Sequence, residues 1–366
     1  MYDWIDSPDA LRARLQAWHG QERVALDTEF IREKTYYPQL ALVQLGIPGE
    51  ILLVDVLVPG MDDALRPLLL DGSVMKLMHS ASEDLQALAR GCGAVPSPLF
   101  DTQVAAAMTG YGAGLGYQKL VEAVTGQQLE KGETRSDWLR RPLSASQLKY
   151  AAEDVAHLHE LHDVLLAKLR ELGREQWLHE DTGRAVRNAR NDIDDPHPHL
   201  GIRSAERFDL PAQARLCRLL RWRDAQARAL DRPRGWLLDN ELAVALSRRP
   251  PADFDEFSGV LDRTPKAPRK GRAELWKLVS APLTDEDLAI PTVRMAESGD
   301  KQALKDLQSA VADVASGLAL PEGLLASRRH LEKLLEGGGW PTALEGWRRD
   351  LLEPSLGPKL KPPTKP

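Results

Sequence analysis

Apolar positions along the first half of the chain follow two periods. At Leu148, Ala151, Ala152, Val155, Leu158, Leu161, Leu165 and Leu169 they keep helical spacing for about six turns, behind a capping box of Ser144 and Gln147. One long amphipathic helix is expected to begin there. Shorter apolar runs at 23–30, 40–45, 51–58 and 74–78 read as strands, the second and third joined as a hairpin through Ile47-Pro48-Gly49-Glu50. Short helices are expected at 7–19, with Ser7 as N-cap and Pro8 at the first helical position, and at 61–70. Further helices should start at a capping box of Ser80 and Glu83, at 100–103 and at 115–124. The order β, ββ, α, β, α and then helices is an α/β pattern in which the first of these strands can lie centrally, with helices packed over it.

Beyond residue 174 the pattern weakens into a polar segment bearing Pro196 and Pro198, which predicts a domain boundary. Leu216, Leu219, Leu220, Trp222, Leu230, Trp236, Leu237, Leu238, Leu242, Ala245 and Leu246 then fit a small helical domain that Pro250-Pro251 breaks. After a Pro- and Lys-containing stretch at 264–270, residues 302–353 again read as helices. The Pro- and Lys-rich end is expected to be disordered.

A length of 366 residues suggests two or three domains with a sizeable core. Hydrophobic content of 43% and charged content of 28% are those of a soluble globular protein, and no stretch approaches the ~18 apolar residues of a membrane span. The acidic start, Met1-Tyr2-Asp3-Trp4-Ile5-Asp6, lacks the basic and apolar regions of a secretory signal, so a cytoplasmic protein is expected. Cys92 and Cys217 stand alone, without CxxC or Cys/His spacing, which excludes a zinc knuckle and a disulfide framework. The net charge of −6 argues against a protein that simply coats nucleic acid; a polyanion must meet a local patch. Arg215, Arg218, Arg221, Arg223, Arg228, Arg232 and Arg234 form one cluster, Lys266, Arg269, Lys270 and Arg272 another, and Lys359, Lys361 and Lys365 mark the tail.

Four acids carry the candidate chemistry. On a strand, residues two apart share a face, so Asp27 and Glu29 project together while Thr28 points away. Two carboxylates aimed alike repel unless a cation, solvent or a base neutralises them. Asp84 falls in the first turn of its expected helix, where the helix dipole favours an anion. Asp154 follows Tyr150 by one turn, so the phenol and the carboxylate point the same way at the edge of the buried stripe. Gathered at one sheet edge, such hard oxygen ligands suit Mg²⁺ or Mn²⁺. Two such ions about 3.5 to 4 Å apart form the clamp used for in-line displacement at phosphorus. Tyr150 would orient the attacking water, since a phenol titrating near pH 10 is poorly suited to full general-base duty. His157, His159 and His162 lack the i, i+4 spacing of a zincin and read as exposed helix histidines.

Asp27-Thr28-Glu29, the His-Ser-x-x-x-Asp form of residues 79–84, and Tyr150-x-x-x-Asp154 resemble the three exonuclease motifs of the DEDD superfamily in its Tyr-bearing (DEDDy) branch. No histidine occupies the place that marks the His-bearing branch. The resemblance covers residues 1–172, with Phe100-Asp101-Thr102-Gln103 and Ser136-Asp137-Trp138 also similar to family segments. It implies a ribonuclease-H-like mixed sheet flanked by helices, with Asp27, Glu29, Asp84 and Asp154 as ligands of two divalent ions and Tyr150 as the water-positioning residue. After a linker and connecting helix at 173–207, residues 208–290 and 300–355 resemble paired all-α HRDC domains, a nucleic-acid-binding module, before a tail at 356–366. The motifs Leu219-Leu220-Arg221-Trp222-Arg223-Asp224 and Arg232-Pro233-Arg234-Gly235-Trp236 carry the first copy, with Arg221, Arg223, Arg232 and Arg234 as candidate nucleic-acid contacts; Gly346-Trp347-Arg348 carries the second. By resemblance the protein is a monomeric 3′-5′ exoribonuclease that releases 5′-mononucleotides from RNA with a free 3′ end, such as tRNA precursors. A proofreading-type DNA exonuclease is the alternative enzyme, since metal chemistry is indifferent to the sugar and 2′-OH contacts carry no sequence signature. An inactive nucleic-acid-binding adaptor is the alternative outside catalysis; it gains nothing by aiming carboxylates at phosphates.

Overall fold

The structure is a computed structural model that describes residues 2–129, 132, 136–192, 194–265, 267–293, 298–337 and 339–360. Six strands, β1 (Asp3–Ile5), β2 (Arg23–Ile31), β3 (Gln39–Ile47), β4 (Glu50–Val54), β5 (Met75–Met78) and β6 (Leu99–Asp101), form one mixed sheet in the order β1-β4-β3-β2-β5-β6. β2, β3 and β4 pair antiparallel, while β1, β5 and β6 add parallel at the two sides. The hairpin forms as its sequence predicts: Ile47 pairs with Glu50 across a two-residue turn, and Gly49 takes the left-handed φ of +91° that such a turn demands. β1 and β6 escaped the sequence analysis because three residues are too few to show a period.

β2 is apolar at its start on both faces. Ala25 joins one hydrophobic cluster with Val155, Leu158 and Leu161, and Val24 and Leu26 join another with Leu85 and Leu88. Its parallel ladder with β5 ends at Ala25 and Leu77, so Asp27 and Glu29 lie beyond that pairing. On the other side the register with β3 slips between Glu29 and Phe30, leaving Ala41 as an extra, bulged residue.

Helices α1 (Pro8–Ala17), α2 (Met61–Leu70), α3 (Ser82–Cys92), α4 (Thr102–Met108), α5 (Tyr117–Thr125), α6 (Ala145–Ala156), α7 (Leu158–Glu171) and α8 (Glu175–Asn191) complete the first half. Gly91 in α3 lies against Leu40 so closely that a Cβ would fall 2.9 Å from the Leu40 Cβ. Only glycine lets the helix sit that near the sheet.

The rest divides between two units. Arg32–Pro38, the connection after β2, and residues 192–296 form one unit. Its helices are α9 (Leu210–Leu230), α10 (Arg234–Leu237), α11 (Asn240–Arg248), α12 (Phe254–Arg263), α13 (Arg272–Ser280) and α14 (Asp285–Leu288), around Leu216, Leu219, Leu220, Leu242, Phe257 and Leu275. Tyr36 is fixed there by Arg234, which donates to its hydroxyl at 2.7 Å, and by Asp231, which accepts from its N–H at 3.0 Å. Helices α15 (Ser298–Gly317), α16 (Glu322–Leu325), α17 (Arg328–Leu335) and α18 (Trp347–Leu356) belong to the other unit, with the sheet.

Several expectations are corrected. The helix expected from 144 onward is two helices that part at His157. Ser80 and Glu83 form no capping box: Ser80 sits at φ +59°, and the Asp101 carboxylate accepts from the Ser80 and Ala81 N–H groups at 3.0 and 2.9 Å. Residues 175–191, expected as part of a linker and connecting helix, form helix α8, which packs in the sheet-bearing unit ahead of the passage to the other unit after Asn191. The 300–355 segment shares one apolar cluster with α5 and α7. Of the tail expected to be disordered, Leu356 ends α18 and Gly357–Lys359 form a 3₁₀ turn; residues 361–366, with Lys361 and Lys365, lie outside the described residues, as does Lys266.

Candidate active site

Oxygens of Asp27, Glu29 and Asp154 lie within 4.8 Å of one another. β2 supplies the first two on one face, as its pleat requires, and α6 packs across that face and supplies the third. Asp27 is paired across the sheet with Gln44, whose side chain is fully buried with neither amide atom bonded among the described residues. Asp84, in the first turn of α3, is buried, and its carboxylate accepts from the Thr28 hydroxyl. Thr28 points to the opposite face, as the strand period predicts, and there it anchors the fourth acid.

The electrostatics are those of four crowded acids. Burial, then Asp84, Asp154 and Glu29, push Asp27 well above the usual carboxylate range. Burial, then Asp154 and Asp84, push Glu29 up to about 9. Burial likewise raises Asp84 and Asp154 to about 7, against the hydrogen bonds they accept from Thr28 and Tyr150. Among the described residues no Lys or Arg forms an ion pair with any of the four. Oxygen-only donors that repel one another, with no Lys or Arg paired to them among the described residues, fit divalent ions of the Mg²⁺ class.

Tyr150 donates its hydroxyl to Asp154, one turn away, and its ring leans on Trp138 with centroids 6.1 Å apart. Burial, then Asp154, raise its phenol above the ordinary value, so it stays protonated. The capping box of Ser144 and Gln147 that starts this helix forms as expected. Arg141 holds the approach to it: it donates to both Asp55 oxygens at 2.7 and 2.8 Å, to the Trp138 carbonyl at 2.7 Å, and to the carbonyl of the bulged Ala41 at 2.8 Å.

Tyr117 is a residue the sequence analysis missed. Its hydroxyl accepts from the His157 N–H at 3.1 Å and donates to the Glu153 carbonyl at 3.0 Å. Those two groups are four residues apart and would bond each other in an unbroken helix, so the phenol is inserted into the ladder and splits α6 from α7 just after Asp154. A lone Tyr far off in sequence gives no periodic signal for this. The histidines beyond the break are not exposed, correcting that expectation: His162 is buried against Phe100, and His159 bonds the Gly46 carbonyl at 3.0 Å.

The four candidate arginines do not act alike. Arg223 is half-buried and donates to the Leu238 carbonyl and the Asn240 side chain, a packing arrangement. Arg221, Arg232 and Arg234 are exposed, as is Trp236, although all three arginines also bond within their unit.

A mixed sheet whose central strand and overlying helix gather carboxylates, with helical modules at the C-terminal side, defines a 3′-5′ exonuclease of the class that uses divalent metal ions. Residues 2–170 match the 3′-5′ exonuclease family, and residues 299–356 match the C-terminal HRDC domain of ribonuclease D. The chain belongs to the ribonuclease D family and is a 3′-5′ exoribonuclease. It is 53% identical over 361 residues to ribonuclease D of Xanthomonas oryzae, covering 99% of each chain, and 35% identical over 363 residues to that of Pseudomonas paraeruginosa, covering 96% of each. The crystal structure of Escherichia coli RNase D, described as an exoribonuclease involved in structured RNA processing, matches with a TM-score of 0.86 at 30% identity over 98% of each chain. The catalytic core of RRP6 from Trypanosoma brucei, at 20% identity and a TM-score of 0.58, shares the fold. Among the described residues no helix is long and apolar enough to cross a membrane.

Proposed function

We propose that Asp27, Glu29, Asp84 and Asp154 hold two Mg²⁺ or Mn²⁺ ions, and that Tyr150 positions the water that attacks the last phosphodiester of an RNA 3′ end. The single observation that carries this reading is the convergence of the Asp27, Glu29 and Asp154 oxygens within 4.8 Å, with the Tyr150 hydroxyl on Asp154. Bound there, such ions would supply Lewis-acid stabilisation of negative charge developing at the phosphate and would make water more acidic. The protein's own part is positional. Asp154 orients the Tyr150 hydroxyl, whose raised pKa keeps the proton on the phenol so that it aims a water's lone pair rather than removing a proton. Thr28 and Tyr150 fix one oxygen each of Asp84 and Asp154, leaving the others for ligation.

The natural substrates are 3′ trailers of tRNA precursors, the protein works as a monomer in the cytoplasm, and exposed Arg221, Arg232, Arg234 and Trp236 offer charge and a stacking face to RNA. The domains follow as exonuclease 1–172 and HRDC modules at 208–290 and 300–355.

The test is release of 5′-mononucleotides from a 3′-tailed tRNA precursor in Mg²⁺. Asp27→Asn and Asp154→Asn should each lower kcat by about three orders of magnitude or more, on the scale of a lost catalytic group, with the folded structure, read by circular dichroism, preserved. Near-native turnover by either variant would overturn the assignment. Tyr150→Phe should lower kcat more than it raises KM; the reverse split would remove its water-positioning role. Competition between matched RNA and DNA oligomers reads the sugar preference directly.

A further inference from the structure

Outside the acidic cluster, one other group of metal-ligand side chains converges among the described residues: His197, His199 and Cys217, each with a ligand atom within 4.8 Å of the others. All three lie in the unit built on α9, with the histidines on the short turn Pro198–Gly201 and just before it, and the cysteine on α9.

His199 has the bonding of a prepared ligand. It is 0% exposed, and its Nε2 faces the Pro291 carbonyl at 2.9 Å, an acceptor that fixes the ring proton on that nitrogen. Nδ1 therefore carries the lone pair, and it is buried with no hydrogen-bond partner among the described residues. A metal-binding imidazole usually donates its other N–H to a carbonyl or carboxylate in this way, and an orphaned buried acceptor otherwise costs free energy. Cys217 is also buried, and the acceptor nearest its Sγ is the Pro196 carbonyl at 3.7 Å, a weak contact. The rings of His197 and His199 meet edge to face with centroids 6.1 Å apart. Asp195 and Asp287 add negative potential at Cys217, and Arg221, whose Nε bonds the Pro196 carbonyl, opposes it.

We propose that His197, His199 and Cys217 bind one Zn²⁺ ion, tying the turn before α9 to that helix. Two imidazoles and a thiolate are a borderline-soft donor set that selects zinc over the Mg²⁺ class suited to the carboxylate cluster. Tetrahedral bonds of about 2.0 to 2.3 Å place ligand atoms about 3.5 Å apart, so small side-chain rotations close the cluster. The histidines bind neutral, and Cys217 binds as thiolate with its proton released to solvent. Water takes the fourth position on the side where His197 is only half-buried. The sequence hid this set because the donors fall as His-x-His and a cysteine on the next helix, outside any common zinc spacing.

The experiment uses the full chain, stripped with chelator and titrated with Co²⁺ in excess Mg²⁺. One equivalent should build a near-ultraviolet thiolate-to-cobalt charge-transfer band in the native protein and equally in Asp27→Asn, and Zn²⁺ should bleach it. The band should vanish in Cys217→Ser, and His199→Gln should weaken Co²⁺ affinity by about tenfold or more, a loss that even an outer-shell partner produces. No thiolate band in the folded native protein overturns the proposal without recourse to any variant. A band unchanged in His199→Gln overturns it too, by showing a lone thiol that captures an ion.

Discussion

At the residue scale, the acids at the end of β2 are held against their own repulsion. Asp27 and Glu29 share a strand face, Asp154 arrives from α6 and Asp84 from α3, and all four titrate above the carboxylate range because burial and their neighbours disfavour charge. An acid raised in the folded state stabilises the fold fully only below its unfolded pKa of about 4, and that contribution is lost as pH rises through the folded value. In metal-free protein the melting temperature should therefore fall from about pH 4 through about 7, where Asp84 and Asp154 ionise, to about 9, where Glu29 does. Added Mg²⁺ should flatten the slope, and Asp27→Asn should raise the metal-free melting temperature at pH 8. Thermal melts with chelator and with Mg²⁺ measure both, and stability that climbs with pH in chelator would contradict the crowding. The pleat and the one-turn spacing placed Asp27 beside Glu29 and Asp154 beside Tyr150 from sequence alone. Thr28 as the anchor of Asp84, and the unbonded amide of Gln44 opposite Asp27, needed strand register and a helix from elsewhere.

At the element scale, two side chains outside α6 hold its two ends. Arg141 grips Asp55, the Trp138 carbonyl and the bulged Ala41 carbonyl in front of the helix, while Tyr117 cuts the helix after Asp154. Arg141→Ala leaves the Asp55 carboxylate, which is 7% exposed, without its cation, and should destabilise the protein by about 3 kcal/mol. Urea unfolding measures that, and a loss within about 0.5 kcal/mol would reduce the pair to a surface contact. Tyr117→Phe leaves the His157 N–H and the Glu153 carbonyl to bond each other or go unpaired, at a cost of about 1 kcal/mol. Its larger effect should be a fall in kcat of about tenfold with KM for RNA little changed, because Asp154 sits one residue beyond Glu153 and turns with that end of the helix. Unaltered kcat would make the insertion structural only. Helical periodicity foresaw α6 and α7 but ran them together, since the apolar stripe continues across His157 and an inserted hydroxyl has no local signature.

At the scale of the whole molecule, the C-terminal helices do not stand apart from the exonuclease sheet. Leu307, Val311, Leu331, Leu344, Leu352 and Leu356 belong to the same apolar cluster as Leu158, Leu161 and Leu165. Helix α8 and the residue before it fasten them: Trp177 stacks on Trp347 with centroids 4.6 Å apart and planes 8° apart, Arg348 forms a bidentate pair with Asp181, and Arg174 bonds both the Met108 and Leu318 carbonyls. A chain cut after residue 296 should melt at lower temperature and aggregate, having uncovered this core. A soluble truncation that melts as high as the full chain would show the segment to be dispensable. The sequence by itself determined the hairpin, the capped start of α6, the shared faces of Asp27 with Glu29 and of Tyr150 with Asp154, and a helical second half, because each depends on spacing within one element. Only the tertiary structure decided how Thr28 anchors Asp84 beside the strand, where the long helix breaks, and that the last four helices complete the first core. Those outcomes depend on side chains meeting across tens to hundreds of residues, and periodicity holds no record of such meetings.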